Sequence, residues 1–224
     1  MPVRARVPAS HLRDAEKALA EFFRTQGAAI AANWPEPKSS GKALADVFSL
    51  ARWNRVLAPV VETIALAVST AAGRSVLAGL GLAADGYDQD VTLAWIAAHA
   101  SGVASGVNGR TRATVRDALA ADLTASDVRD LFSTMAEARA PQIARTEVTA
   151  ATGFGTREAA QQSGRDLVKT WKTGSNPRAS HARLDGQAVP MNETFSNGAR
   201  WPGDSRLDDK ERSNCNCSMT VDAA

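Results

Sequence analysis

Apolar residues recur at helical spacing through most of the chain and at strand spacing only towards its end. Leu12, Ala15, Leu19, Phe22 and Phe23 form one stripe that Ser10 can cap, predicting a helix to about residue 32. NWPEPKSSGK (33–42) has two prolines, a glycine and no periodicity, and reads as a linker. Helices are expected over 43–52 and 55–83, ended by GLGLAADGYD, and then over 89–105 with Trp95 and His99. SGVASGVNGR should weaken that helix before the next begins near Thr111. Thr124, three residues before Asp127, is a relative of the capping box and opens a helix through Val128, Leu131, Phe132 and Met135. Pro141 suits the first turn of a further long helix, in which Gly153 and Gly155 mark a break.

From about Asp166 alanine thins out and Gly, Asn, Pro, Asp and Ser take over. DLVKTWKT (166–173) reads as a strand, GSNPRAS and DGQAVP as turns, and SNGARWPGDSRLDD as loop. The closing CNCSMTVD alternates. Cys215, Cys217, Met219 and Val221 share one face; Asn216, Ser218, Thr220 and Asp222 share the other, as in a half-buried strand. The expected class is α+β: a mainly helical first part, then a small loop-rich part with a short sheet. The division is placed at 1–105 and 106–224, the latter with helices over 107–165 and strands and loops over 166–224.

Composition adds little beyond a bound. The 224 residues are 44% hydrophobic and 22% charged with a net charge of +2, which suits a soluble globular protein and is too small a charge to argue for nucleic acid. The opening residues lack the apolar run of a secretory signal, and Glu62 interrupts the longest apolar stretch, so no membrane segment is expected. Arg110, Arg112 and Arg116 begin a basic patch that Asp117 and Asp122 dilute, which reads as a solvated helix face. There is no P-loop, no dinucleotide fingerprint and no H-E-x-x-H.

The candidate chemistry lies in the two cysteines, one residue apart. In an extended chain such positions are up to about 7 Å apart, whereas a disulfide needs Cβ atoms about 4 Å apart, so they should not pair. Two readings stand: small core thiols on a buried strand, or two thiolates joined by a histidine around zinc. His181 is the third ligand on offer, and Asp185 or Asp204 a fourth, although C-x-C lacks the spacing of common zinc knuckles. A Cys215–His181–Asp185 nucleophile is disfavoured, since no elbow or papain-type signature surrounds it.

Several short motifs follow in order: IARTE (143–147), Trp171, NPRASH ending at His181, LDGQ (184–187), Phe195, PGD (202–204) and NCNC (214–217). Their order resembles the phage Mu F-like minor head proteins, also called phage head morphogenesis proteins, over roughly 107–222. Asn176 and Asn216 depart from the family pattern, which has an acidic residue and an arginine there. The resemblance implies a minor capsid component, not an enzyme, in the virion at the capsid interior or portal vertex, and in the host cytoplasm during assembly. It would associate with the portal protein and other capsid proteins, act in head assembly and DNA retention or delivery, and touch packaged DNA non-specifically. A capsid-delivered effector such as a metal-dependent nuclease, or a DNA-binding protein, are the alternatives. No cofactor follows beyond the zinc that His181, Cys215, Cys217 and Asp185 could hold.

The remaining motif residues are expected to make the fold. Gly186 and Gly203 suit turns with positive φ, where Asp185 and Asp204 accept backbone N–H groups. Trp171, Phe195 and Trp201 should supply a small core. Arg145 should reach Asp185 or Asp204, and Glu147 a turn backbone. Gln187 and Asn214 belong to the same structural set, and the paired thiols should tie the end of the chain to the 181–187 turn.

Overall fold

The computed structural model describes residues 1–36 and 44–224, so much of the expected linker over 33–42 lies outside the described residues. In chain order the elements are β1 (Val3–Arg4), α1 (Ala9–Ala31), α2 (Leu44–Val47), α3 (Leu50–Gly79), α4 (Asp90–Ala120), α5 (Ala125–Gln162), β2 (Leu167–Lys172), α6 (Ala179–Ala182), β3 (Ala188–Pro190), α7 (Asp209–Arg212) and β4 (Ser218–Ala223). The α+β expectation holds: long helices come first and a four-stranded antiparallel sheet, in the order β1-β4-β2-β3, gathers at the end.

Helix α5 is the axis of the fold, packed against both α1 and α3, while α4 lies on α3. Thr124 and Asp127 close a reciprocal capping box at its start: the Thr124 hydroxyl accepts from the Asp127 N–H at 3.2 Å, and the carboxylate accepts the Thr124 N–H at 2.8 Å. Leu19, Phe23, Leu57, Val61, Ala100, Val128, Phe132 and Ala144 share one core. Each fully buried large side chain there contributes roughly 2 kcal/mol of transfer free energy. Residue 105, where a division was expected, falls inside α4, and this core draws on residues from Ala15 to Ala151.

The structure revises several boundaries. Ser10 lies within the first turn of α1, and Pro8 is its cap, without a side-chain bond. The break after α2 comes at 48–49, where Ser49 accepts the Arg52 N–H at 3.3 Å and caps α3. SGVASGVNGR does not interrupt α4. Its glycines 102, 106 and 109 face open space, while Val103, Ala104, Val107 and Asn108 on the opposite side are buried and carry the helix through. Pro141 sits in the interior of one 38-residue α5 and does not start a helix.

Gly153 and Gly155 are not a break either. A Cβ at Gly155 would lie 2.2 Å from the Ser69 carbonyl oxygen of α3, and one at Gly153 would lie 2.6 Å from the Trp201 ring. These glycines let α5 approach its neighbours. Residues 44–79 meet the length and composition of a membrane-crossing helix, which the reading from Glu62 does not anticipate. In this fold Trp53, Leu57, Val61 and Val68 from that stretch are buried in the helical core.

The sheet places the C-terminal strand at its centre. β4 pairs with β2 from Ser218–Lys172 to Ala223–Leu167, and on its other edge with β1, Val3 facing Val221. Met219 and Val221 are buried as expected, but Thr220, expected on the open face, is buried between them, and the strand begins at Ser218, after both cysteines. β1 carries no local strand signal; it forms because the N-terminal residues meet an open edge.

Candidate metal centre

His181, Cys215 and Cys217 come together as expected. His181 Nδ1 lies 3.6 Å from Cys215 Sγ and 3.4 Å from Cys217 Sγ, and all three ligand atoms fall within 4.8 Å of one another. All three side chains are buried, and both cysteines are free thiols. The two sulfurs leave the β4 segment on the face that also carries Trp171, Leu184, Phe195 and Ala199, so the group sits at the end of a small core.

Two elements hold the group. α6 presents His181, whose ring meets the Trp171 ring edge-on at 5.4 Å. One face of α5 fixes the cysteine segment. Arg145 donates to Asn214 Oδ1 at 2.8 Å, Thr146 accepts the Asn214 N–H at 2.8 Å, and Thr149 donates to the Cys215 carbonyl at 2.7 Å. Asn214 adopts φ 56°, a left-handed conformation that asparagine tolerates, and this turns the chain into the C-x-C stretch. Arg178 Nη2 donates to the Ser213 carbonyl at 2.7 Å, and Nη1 to that of Glu211.

The sulfurs sit among hydrogen-bond donors. Cys217 N–H points at Cys215 Sγ at 3.5 Å. The Cys215 thiol, and after it His181 and the Gly174 N–H, pull the Cys217 thiol well below the usual range; the same hydrogen bond between the two thiols, together with burial, pushes Cys215 up. Gly174 is required at its position, since a Cβ there would meet the Asn216 carbonyl oxygen at 2.1 Å. Glu211 Oε2 lies 3.0 Å from His181 Nε2, but Nε2 has no aligned hydrogen bond.

This donor set can hold a cation. A tetrahedral ion with metal–sulfur bonds of about 2.3 Å and a metal–nitrogen bond of about 2.05 Å has sulfur–nitrogen edges of roughly 3.6 Å. The observed separations of 3.4 and 3.6 Å match that edge. N–H groups directed at sulfur are the outer contacts that such thiolates need.

Asp185 lies outside the group. Its Oδ1 accepts the Thr173 N–H at 2.9 Å, which, with a side-chain bond from Thr173, holds its carboxyl below the usual range. Asp204 is also elsewhere, bound to Arg200. Arg145 therefore reaches Asn214, not Asp185 or Asp204. Glu147 reaches no turn: its Oε2 is 2.5 Å from His99 Nε2, a buried contact between α5 and α4. The remaining motif residues are fold-makers. Gly186 and Gly203 have φ of 76° and 84°, and Gln187 Oε1 accepts from Ser196 N–H at 3.1 Å. Trp171 and Phe195 pack together, but Trp201 lies apart with Phe154 and Met219.

Sequence reasoning misses Glu211 and Thr149 and assigns no role to Arg178 and Thr146, although NPRASH and IARTE contain them; only the fold brings the four to the site. All three cation donors line one recess of about 740 Å³, with Arg145, Ser175, Asn176, Arg178, Asn214 and Asn216 around it.

No family model matches the chain, and no solved structure matches it. It is similar to a Bacillus subtilis (strain 168) protein described as "Uncharacterized protein YqbB", 29% identical over 145 residues, covering 58% of this chain and 48% of that protein. The chain thus spans about half the length of this curated relative.

Proposed function

We propose that the chain is a minor head protein of a phage or prophage, whose C-terminal module is stapled by a zinc ion on His181, Cys215 and Cys217. The observation that carries the zinc is the pair of sulfur–imidazole separations of tetrahedral length, with an N–H group directed at one of the sulfurs. Zinc suits two thiolates and an imidazole better than harder cations do. Its role is to fasten β4, a central strand, to the turn after β2.

The capsid reading rests on the motif order between 143 and 217. It is supported by the way those motifs converge: Arg145 holds Asn214, Trp171 packs on His181, and Asp185 ties its turn to β2. A stapled adapter with long helices serves docking on a portal protein better than turnover of a small molecule. Co-expression with a phage portal protein, followed by affinity capture, tests this. The two should co-purify and the chain should be present in purified particles; its absence from both overturns the assignment.

A further inference from the structure

Three protein donors leave a tetrahedral cation one position short. All three border the same recess, which is the side from which a fourth ligand can approach. Two guanidinium groups line this recess with their charge unspent. Arg145 is bonded to an asparagine oxygen and Arg178 to two backbone carbonyls, and neither forms an ion pair with a described carboxylate.

The charge count indicates what is missing. A divalent cation is neutralised by two thiolates; Arg145 and Arg178 then add two positive charges, and Glu211 beside His181 removes one. One negative charge balances the site, which suits a carboxylate and is exceeded by a phosphate dianion. The recess is much larger than a free carboxylate needs, and Ser175, Asn176, Asn214 and Asn216 line the rest of it with neutral donors and acceptors suited to a polypeptide backbone.

We infer that the recess beside His181, Cys215 and Cys217 captures an aspartate or glutamate side chain of a partner protein, whose carboxylate takes the fourth position on the metal and is gripped by Arg145 and Arg178. The inference rests on the metal reading above. It also gives Asn216 a role: a neutral residue there leaves the grip to the two arginines that approach from α5 and from the loop before α6.

The full chain is loaded with Co²⁺, whose visible absorption reports tetrahedral sulfur ligation and changes with its fourth ligand. The loaded protein is titrated, at fixed ionic strength, with acetyl-Gly-Glu-Gly-amide, with the Gln counterpart and with inorganic phosphate. The Glu peptide should shift the visible band saturably while the Gln peptide and phosphate leave it unchanged, and Arg145→Gln should weaken the Glu peptide about tenfold, the size of one charge-assisted contact. A band that ignores the Glu peptide, or answers equally to the Gln peptide or to phosphate, overturns the carboxylate inference while leaving the metal site intact. Failure to form the cobalt–thiolate spectrum at all fails the metal reading, and this inference with it. The wild-type titrations decide the matter even if Arg145→Gln does not fold.

Discussion

Replacing Asp204 with asparagine should cost about 3 kcal/mol of folding stability, a large share of what holds a domain of this kind together. The Asp204 side chain is fully buried. Its oxygens accept from the Arg200 backbone N–H at 2.8 Å, from Arg200 Nε and Nη2 at 2.8 and 2.9 Å, and from the Arg206 N–H at 3.2 Å. Burial raises the carboxyl's pKa, but the bonds from Arg200 outweigh it and hold the group below its usual range. The amide side chain would keep the shape yet lose the charge, and would turn an NH₂ towards donors. Breaking a buried pair costs about 3–5 kcal/mol; the Arg200 side chain is 27% exposed, which lowers the expectation towards about 2–4 kcal/mol. The neighbouring Gly203, at positive φ and 2.9 Å (from its would-be Cβ) to the Ala150 backbone, leaves the turn no room to adjust. Urea unfolding followed by circular dichroism reads the change as a lower midpoint at unchanged slope. Because the folded pKa is depressed, this stabilisation is present above the unfolded value and disappears as pH falls through the folded one, so Asp204→Asn should narrow the gap to wild type only in acid. A loss below about 1 kcal/mol at neutral pH refutes the reasoning.

Gly155→Ala should destabilise the α3–α5 crossing by at least about 2 kcal/mol, because its new methyl meets backbone and not a movable side chain; thermal unfolding checks this, and an unshifted midpoint contradicts it. Lys169 is buried beneath Phe195, donating to the Met191 and Glu193 carbonyls, and burial followed by the charge of Arg157 pushes its ammonium down to about 8. Its folded pKa lies below the unfolded value, so the unfolded chain binds more protons between pH 8 and 10.5, and stability should rise across that window. Urea midpoints at both ends should show the rise in wild type and lose it in Lys169→Met. Thr149→Val, which removes the donor to the Cys215 carbonyl, should cost about 1 kcal/mol, read in the same urea assay.

The elements legible in the sequence are those with local causes. Thr124 and Asp127 announce the start of α5, and the alternation from Cys215 to Val221 announces β4, although the strand begins only at Ser218, after the two thiols. What the sequence conceals depends on partners far along the chain. Gly102, Gly106 and Gly109 look like a helix breaker because glycine costs helix stability, yet burial of Val103, Ala104 and Val107 outweighs that cost. Gly153 and Gly155 look like a break until Trp201 and Ser69 are seen lying where their side chains would be. At the site, histidine and two cysteines are legible from residue type alone. Asp185 is not separable from a true ligand, because a carboxylate that caps a turn and one that binds a metal read alike in sequence. Glu211 carries no mark of its nearness to His181 until α7 is placed beside α6.

The central claim is that a metal ion staples β4 to the turn after β2, and its direct test is elemental analysis of the full chain purified without chelators. The account predicts about one equivalent of zinc per chain, lost in a Cys215→Ala/Cys217→Ala double variant that also melts earlier. Wild-type protein that carries none after expression in zinc-supplemented medium, and that melts at the same temperature with and without added zinc, contradicts it.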